Sequence, residues 1–232
     1  MKKSKVKKEI PAFKVGTLEV LTSLMSEHQW LDLLKEKHAD DIGLIELIQQ
    51  IGTNDEYGKH SIKQIAHRIG ITTAVTTRLI HKFYEELWII NDEQPELFEQ
   101  KGARYTLQFI DSYQNEYAYF TLWLPNVLTY GDSFRWSFMR GKQQAYSYYV
   151  DHIEHNFING KQSVVITMRS GSFNLYRKTL FEKAVFFDLV TIHERFHLTQ
   201  HQLDQVLKHR IENDLDGYPE NLAYLRDKNK NW

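Results

Sequence analysis

The chain has no cysteine among its 232 residues. That excludes a disulfide framework, a cysteine-ligated zinc finger and thiol catalysis, and it suits a reducing cytoplasm. Long hydrophobic runs are also missing. Nothing approaches the roughly 18 apolar residues that a membrane span requires. The basic start, Met1-Lys-Lys-Ser-Lys-Val-Lys-Lys-Glu9, leads into Ile10-Pro-Ala-Phe-Lys-Val-Gly-Thr17. That stretch is too short and polar for a signal-peptide core. Residues 1–17 are therefore expected to be a basic flexible arm, solvated or touching phosphates, and no membrane partner is expected. There is no glycine-rich phosphate loop, since Arg169-Ser-Gly-Ser172 reads as a turn. No serine-nucleophile motif, internal repeat or low-complexity segment occurs. One local absence says more than these. Between Tyr57 and Tyr84 there is no acidic residue.

That stretch carries Lys59, Lys63, Arg68, Arg78 and Lys82, with His60, His67 and His81, in a chain of net charge −1. Such a segment points to a surface that meets polyanions. The chain as a whole is 42% hydrophobic and 25% charged, enough to bury the core of one large or two small domains. Aromatic residues, 13% of the total, lie mostly after Tyr105.

Apolar spacing predicts a broken helix over Leu18–Lys37 and a clearer one over Ile42–Ile51, closed by Gly52-Thr-Asn-Asp55. Ser61-Ile-Lys-Gln64 is a capping-box pattern. The helix that it opens has Ile62, Ile65, Ala66 and Ile69 on one face and ends at Gly70, which supplies a left-handed turn. Thr72 can cap the next helix, which is expected to run to about Leu87 with Ile80, Phe83, Tyr84 and Leu87 inward. Trp88-Ile-Ile90 then reads as a strand, Asn91–Gly102 as a polar loop, and Tyr105–Ile110 as a returning strand.

The segment Ile65-Ala-His-Arg-Ile-Gly-Ile-Thr-Thr-Ala-Val-Thr-Thr-Arg-Leu-Ile80 resembles the helix-turn-helix core of bacterial winged-helix regulators, MarR-like ones especially. Ala66 stands where the helices cross closely, Gly70 at the turn, and Ile71 as the plug beneath it. Thr77-Arg-Leu-Ile80, Phe83 and Leu87-Trp-Ile-Ile90 match the end of the recognition helix and the entry to the wing. The resemblance covers residues 42–110. One departure is Thr76, which stands where the family buries a valine, with Val75 one place early. It leaves open a one-residue shift of the recognition helix. The resemblance implies that this helix enters the major groove and presents Thr72, Thr73, Ala74, Thr77, Arg78 and His81 to DNA. Arg78 would be bidentate to guanine and the threonines would touch thymine methyls or phosphates. Lys59, Ser61, Lys63 and Lys82 would contact phosphates. In the wing, Asp92, Glu93, Glu96 and Glu99 oppose DNA, which leaves Lys101 and Arg104 at its base.

His193-Glu-Arg-Phe-His197 matches the zinc-hydrolase pattern HExxH, with Glu194 as general base, His201 one further turn on, and Glu212 or Glu220 as a third ligand. Against it, Arg195 places a charge where such enzymes keep a neutral residue. Thr199 reads as a new helix cap, and 11 histidines make a chance match easy. The expectation is no catalytic residue, no metal and no cofactor.

Beyond Asp111 the texture changes. Strands are expected at Tyr117–Leu124, Phe134–Met139 and Ser163–Met168, and helices at Ala145–His155, Leu175–Phe196 and from the Thr199-Gln-His-Gln202 cap to about Asn213. Ser133–Phe181 interleaves seven basic residues with aromatics. This is either an aromatic core with a basic exterior or a second nucleic-acid surface. The whole is expected to be α+β: a winged helix-turn-helix at 18–112, then a smaller mixed α/β domain at 113–232 ending in two helices. The expected function is that of a cytoplasmic, homodimeric transcriptional regulator that binds double-stranded DNA. A plasmid or phage replication-initiation or partition protein with two DNA surfaces is the alternative, and a zinc hydrolase the lesser one.

Overall fold

The computed structural model describes residues 15–54, 60–111, 117–143, 145–158, 160–187, 189–191, 193–194, 198 and 200–213. Most of the expected arm lies outside them. The protein is mixed α and β and divides into two compact units. One is built from the chain up to Leu87 together with a later excursion that carries a 3-10 turn at Ser137–Gly141. The other holds Trp88–Trp136 and the chain from Ala145 onward.

The first unit is helical. It comprises α1 (Thr17–Ser26), a 3-10 stretch at His28–Leu34, α2 (Ile42–Thr53), α3 (Ile62–Ile69) and most of α4 (Thr73–Glu93). Apolar residues at three- and four-residue spacing turn inward: Leu21, Leu24 and Met25 from α1, Leu44, Ile45, Ile48 and Ile51 from α2, Ile80, Phe83 and Tyr84 from α4. The 137–141 turn completes this core. Phe138 packs edge-on to Trp30 at 5.3 Å and against Tyr84 at 4.9 Å. The Tyr84 hydroxyl donates to the Phe138 carbonyl at 2.8 Å. Gly141 donates its N–H to the Ser23 hydroxyl at 2.8 Å, and a Cβ there would lie 2.6 Å from the Tyr84 ring, so only glycine fits. Buried His38 lies with Nε2 2.6 Å from Oε2 of Glu86, whose other oxygen meets Lys37 at 3.3 Å. Burial would raise the Glu86 carboxyl, but the hydrogen bonds and electrostatic attraction of His38 and Lys37 outweigh it and hold it below the usual range.

The second unit is a five-stranded sheet: β1 (Ala103–Ile110), β2 (Tyr117–Leu124), β3 (Ser133–Arg135), β4 (Ser147–Ile158) and β5 (Lys161–Ser170), in the order β2-β1-β5-β4-β3. Only β1 and β5 run parallel. One face packs on aromatics. Phe120 meets Trp88, Phe98 and Trp136 at 5.0, 5.4 and 5.2 Å, and Phe109 meets Tyr148 at 4.9 Å. Two helices follow, α5 (Leu175–Phe186) and α6 (Gln200–Asn213), around a small core of Ala184, Leu189, Val190, Leu203 and Leu207.

Several expectations are corrected. Trp88–Ile90 is helical, because α4 runs on to Glu93. Leu87, Trp88 and Asn91 are buried at helical spacing while Ile89 is exposed, so burial follows a period of 3.6 rather than 2. The expected strand–loop–strand wing is therefore absent at 88–110. β1 pairs instead with β2 and β5, which draws residues 103–110 into the sheet. The 91–102 loop contains the end of α4 and a 3-10 turn at Pro95–Phe98. Ala145–His155 is mostly strand rather than helix. The strand expected at Phe134–Met139 stops at Arg135, since Phe138 and Met139 are needed in the other core. α5 ends ten residues before the expected Phe196. The cap residue Thr199 lies outside the described residues.

Asn91 is a buried polar residue with a definite task. Its side-chain amide donates to the Thr121 carbonyl at 2.9 Å and accepts from the Thr121 N–H at 2.7 Å. It thus occupies, at one residue, the outer edge of β2, an edge strand. Asn91→Leu is expected to strand both backbone groups and lower unfolding free energy by about 2–4 kcal/mol. Urea denaturation with an unchanged slope would show this, and an unchanged midpoint would refute it.

Candidate nucleic-acid interface

The geometry begins with the α3 cap. Gln64 donates its N–H to Ser61 Oγ at 3.3 Å, and the Ser61 N–H donates to Gln64 Oε1 at 2.8 Å, a reciprocal capping box. Ile65 and Ala66 are buried. Gly70 is left-handed, at φ 76°, a conformation costly for a residue with a Cβ. Ile71 then donates its N–H to the Ala66 carbonyl at 3.1 Å, closing the helix end. Thr72 caps α4, accepting from the Val75 N–H at 3.3 Å.

α4 is divided lengthwise into two stripes. Thr76, Leu79, Ile80, Phe83, Tyr84 and Leu87 are buried. Thr73, Ala74, Arg78 and Lys82 are exposed, with Thr77 and His81 half-buried between them. The departure at residue 76 is thereby resolved. Thr76 itself takes the buried place, and its hydroxyl donates to the Thr72 carbonyl at 3.0 Å. No one-residue shift occurs. Among the expected contacts, Ser61, Lys63 and Thr72 are exposed as well. His81 is partly engaged, with Nε2 3.1 Å from Oγ1 of Thr17. Lys59 lies outside the described residues. Lys101 and Arg104 are exposed but belong to the sheet unit, where Arg104 sits 5.5 Å from the Trp123 ring centroid.

Two residues not named above as DNA contacts join the set. His67 and Arg68 are exposed at the end of α3, and the acid-free run was their signal. The first acids of α4, Glu85 and Glu86, are both engaged, Glu85 with Lys142 at 3.2 Å and Glu86 with His38 and Lys37. The result is a helix whose first three turns expose threonines and cations with no carboxylate of their own.

The aromatic-basic stretch is divided between core and surface, with Tyr146 and Tyr176 exposed and Phe134, Tyr149 and Phe173 half-buried. Trp136, Phe138 and Tyr148 are buried. Arg169 and Lys178 both reach Asp151, at 3.1 and 3.7 Å. Burial, with the nearby Asp111 charge, pushes the Tyr148 phenol well above its usual range.

The HExxH segment is only partly described, since residues 195–197 and the side chain of His201 lie outside. Glu194 is fully engaged. Arg210 grips it in a fork, with Nη2 2.7 Å from Oε1 and Nη1 2.8 Å from Oε2. It also accepts from the Thr191 N–H at 2.8 Å. The Arg210 bonds, followed by the Thr191 bond, lower its carboxyl to about 2, the wrong direction for a general base. Among the described residues, no group of three His, Asp or Glu side chains could hold a metal ion. No known protein family, characterised protein or solved structure matches the chain.

Because the folded carboxyl is depressed, Glu194 contributes stability above its ordinary value of 4.5, and this is lost as pH falls toward about 2. Arg210→Ala should lower the thermal midpoint at pH 7 and reduce its fall between pH 5 and 3. Added zinc should leave the midpoint unchanged. A zinc-dependent rise that requires His193 would overturn this assignment of Glu194.

Proposed function

We propose that the chain is a sequence-specific double-stranded DNA-binding protein that reads the major groove with the exposed stripe of α4, and that it acts as a cytoplasmic, homodimeric transcriptional regulator of helix-turn-helix type. One observation carries the reading: Thr73, Ala74, Thr77, Arg78 and Lys82 form a single stripe at the start of a long helix, in a run without acids. The groove admits one helix, and Arg78 is the side chain suited to guanine. Lys63, Arg68 and Lys82 supply phosphate contacts that fix register without reading sequence. A dimer would place two such helices about one helical turn of DNA apart.

The proposed protein departs from the MarR-like pattern in its wing, because α4 continues where a wing strand was expected and β1 and β2 belong to a larger sheet. The HExxH match is fortuitous on this reading, since Glu194 serves as a helix cap and ion-pair partner. Arg78→Ala is expected to weaken binding to a selected site by about 1–3 kcal/mol and to relax base preference there. Lys63→Ala should weaken all duplexes alike and lessen the salt dependence. Selection from a random-sequence pool with wild type and variant decides the matter: identical enriched sequences and affinities would sink the proposal.

A further inference from the structure

One face of the β-sheet packs on aromatics. The other carries a second set of side chains, different from those of the exposed α4 stripe. Strand register places Thr106 and Gln108 of β1 beside Thr121 and Tyr119 of β2, and beside Val165 and Thr167 of β5. Tyr119 is 56% exposed, and Tyr117, on the same side of the same strand, is 53% exposed. Tyr119 is not a loose surface ring. Gln108, its direct partner across the strands, donates Nε2 to its hydroxyl at 2.8 Å. Thr167 donates Oγ1 to Gln108 Oε1 at 3.2 Å. This chain over three strands draws the phenol across β1 and orders the ring while leaving more than half of the residue in solvent.

Positive charge stands toward both ends of the row. Exposed Arg104 lies on this face over Trp123, and exposed Lys101 just precedes the strand. At the other end Arg169 and Lys178 share one carboxylate, Asp151, so that trio keeps one net positive charge. Among the described strand residues, Glu154, opposite Val165 on β4, adds a further acid to this face.

We propose that this face binds single-stranded nucleic acid, with Tyr119 and Tyr117 stacking successive bases and Arg104 and the Arg169–Lys178 pair meeting phosphates. Residues two apart on a strand lie about 7 Å apart, so each ring can take its own base. Bases inside a duplex stack on one another and cannot offer their faces, whereas an unpaired strand can. Base stacking reads little sequence, so the interaction is tolerant of composition. This site is independent of the α4 reading and adds a second mode of nucleic-acid contact.

The test is fluorescence anisotropy with labelled oligo(dT) of about 15 nucleotides, near the upper size for one such platform, at low and moderate salt. Tyr119→Ala should weaken binding about tenfold or more, and Tyr117→Ala/Tyr119→Ala further. Tyr119→Phe keeps the ring and should retain most of the affinity. Arg78→Ala should leave oligo(dT) binding intact while weakening duplex binding, so the two proposals fail separately. Circular dichroism confirms that each variant is folded. The inference is overturned if wild type does not bind the oligonucleotide, or if the double tyrosine variant binds it as tightly as wild type. It is also overturned if the double variant only dissolves a dimer seen by sedimentation without affecting oligonucleotide binding, which would make the face a contact between copies.

Discussion

The buried pair between the Asn91 amide and the Thr121 backbone is the constraint on which much of the architecture depends. A helix that ended at Leu87 would leave the outer edge of β2 bare at its centre. Because α4 runs one turn further, Asn91 arrives with one donor and one acceptor, matching the two backbone groups that it meets at 2.9 and 2.7 Å. Trp88, on the same turn, packs edge-on to Phe120, one residue before Thr121. The same helix that presents cations and threonines at its start thus ends as a structural part of the sheet unit. The helix is 21 residues long.

Electrostatics is organised by occupancy rather than by totals. The chain is almost neutral, at −1, yet acids beside the basic elements are largely spoken for. Glu85 and Glu86 on α4, Asp151 on β4 and Glu194 beside α6 each have a cationic partner. Among the described residues, Arg78 and Lys82 at the start of α4 are the cations that the proposed duplex contact would use. The fork on Glu194 is the complementary case, a motif carboxylate held by Arg210 and Thr191.

The helical half was legible because its signals are local. The Ser61–Gln64 cap, the Gly70 turn and the 3–4 spacing of Ile80, Phe83, Tyr84 and Leu87 each act within a few residues, and each has its place in the structure. The misreadings arose where a distant partner decides. Trp88-Ile-Ile90 has strand composition, but its burial is set by Phe120 and Thr121, some 30 positions on. β4 was hidden by a bulge between Val150 and His152, which inserts Asp151 and breaks the two-residue alternation on which strand recognition relies. Phe138 has strand-like neighbours yet belongs to the helical core. The stacking row was invisible because Gln108, Tyr119 and Thr167 meet only through strand register.

The return of residues 137–141 to the helical unit has a consequence for synthesis. The pocket formed by Trp30 and Tyr84, and the hydroxyl of Ser23, receive their partners only after β1, β2 and β3 have been made. The N-terminal unit therefore cannot be finished while the ribosome is still translating the first strands of its neighbour, although domains generally fold in chain order. A fragment cut at the apparent sequence boundary would emerge with aromatic surface uncovered. Such a chain is built to mature as a whole, its two halves tied by topology before either is complete.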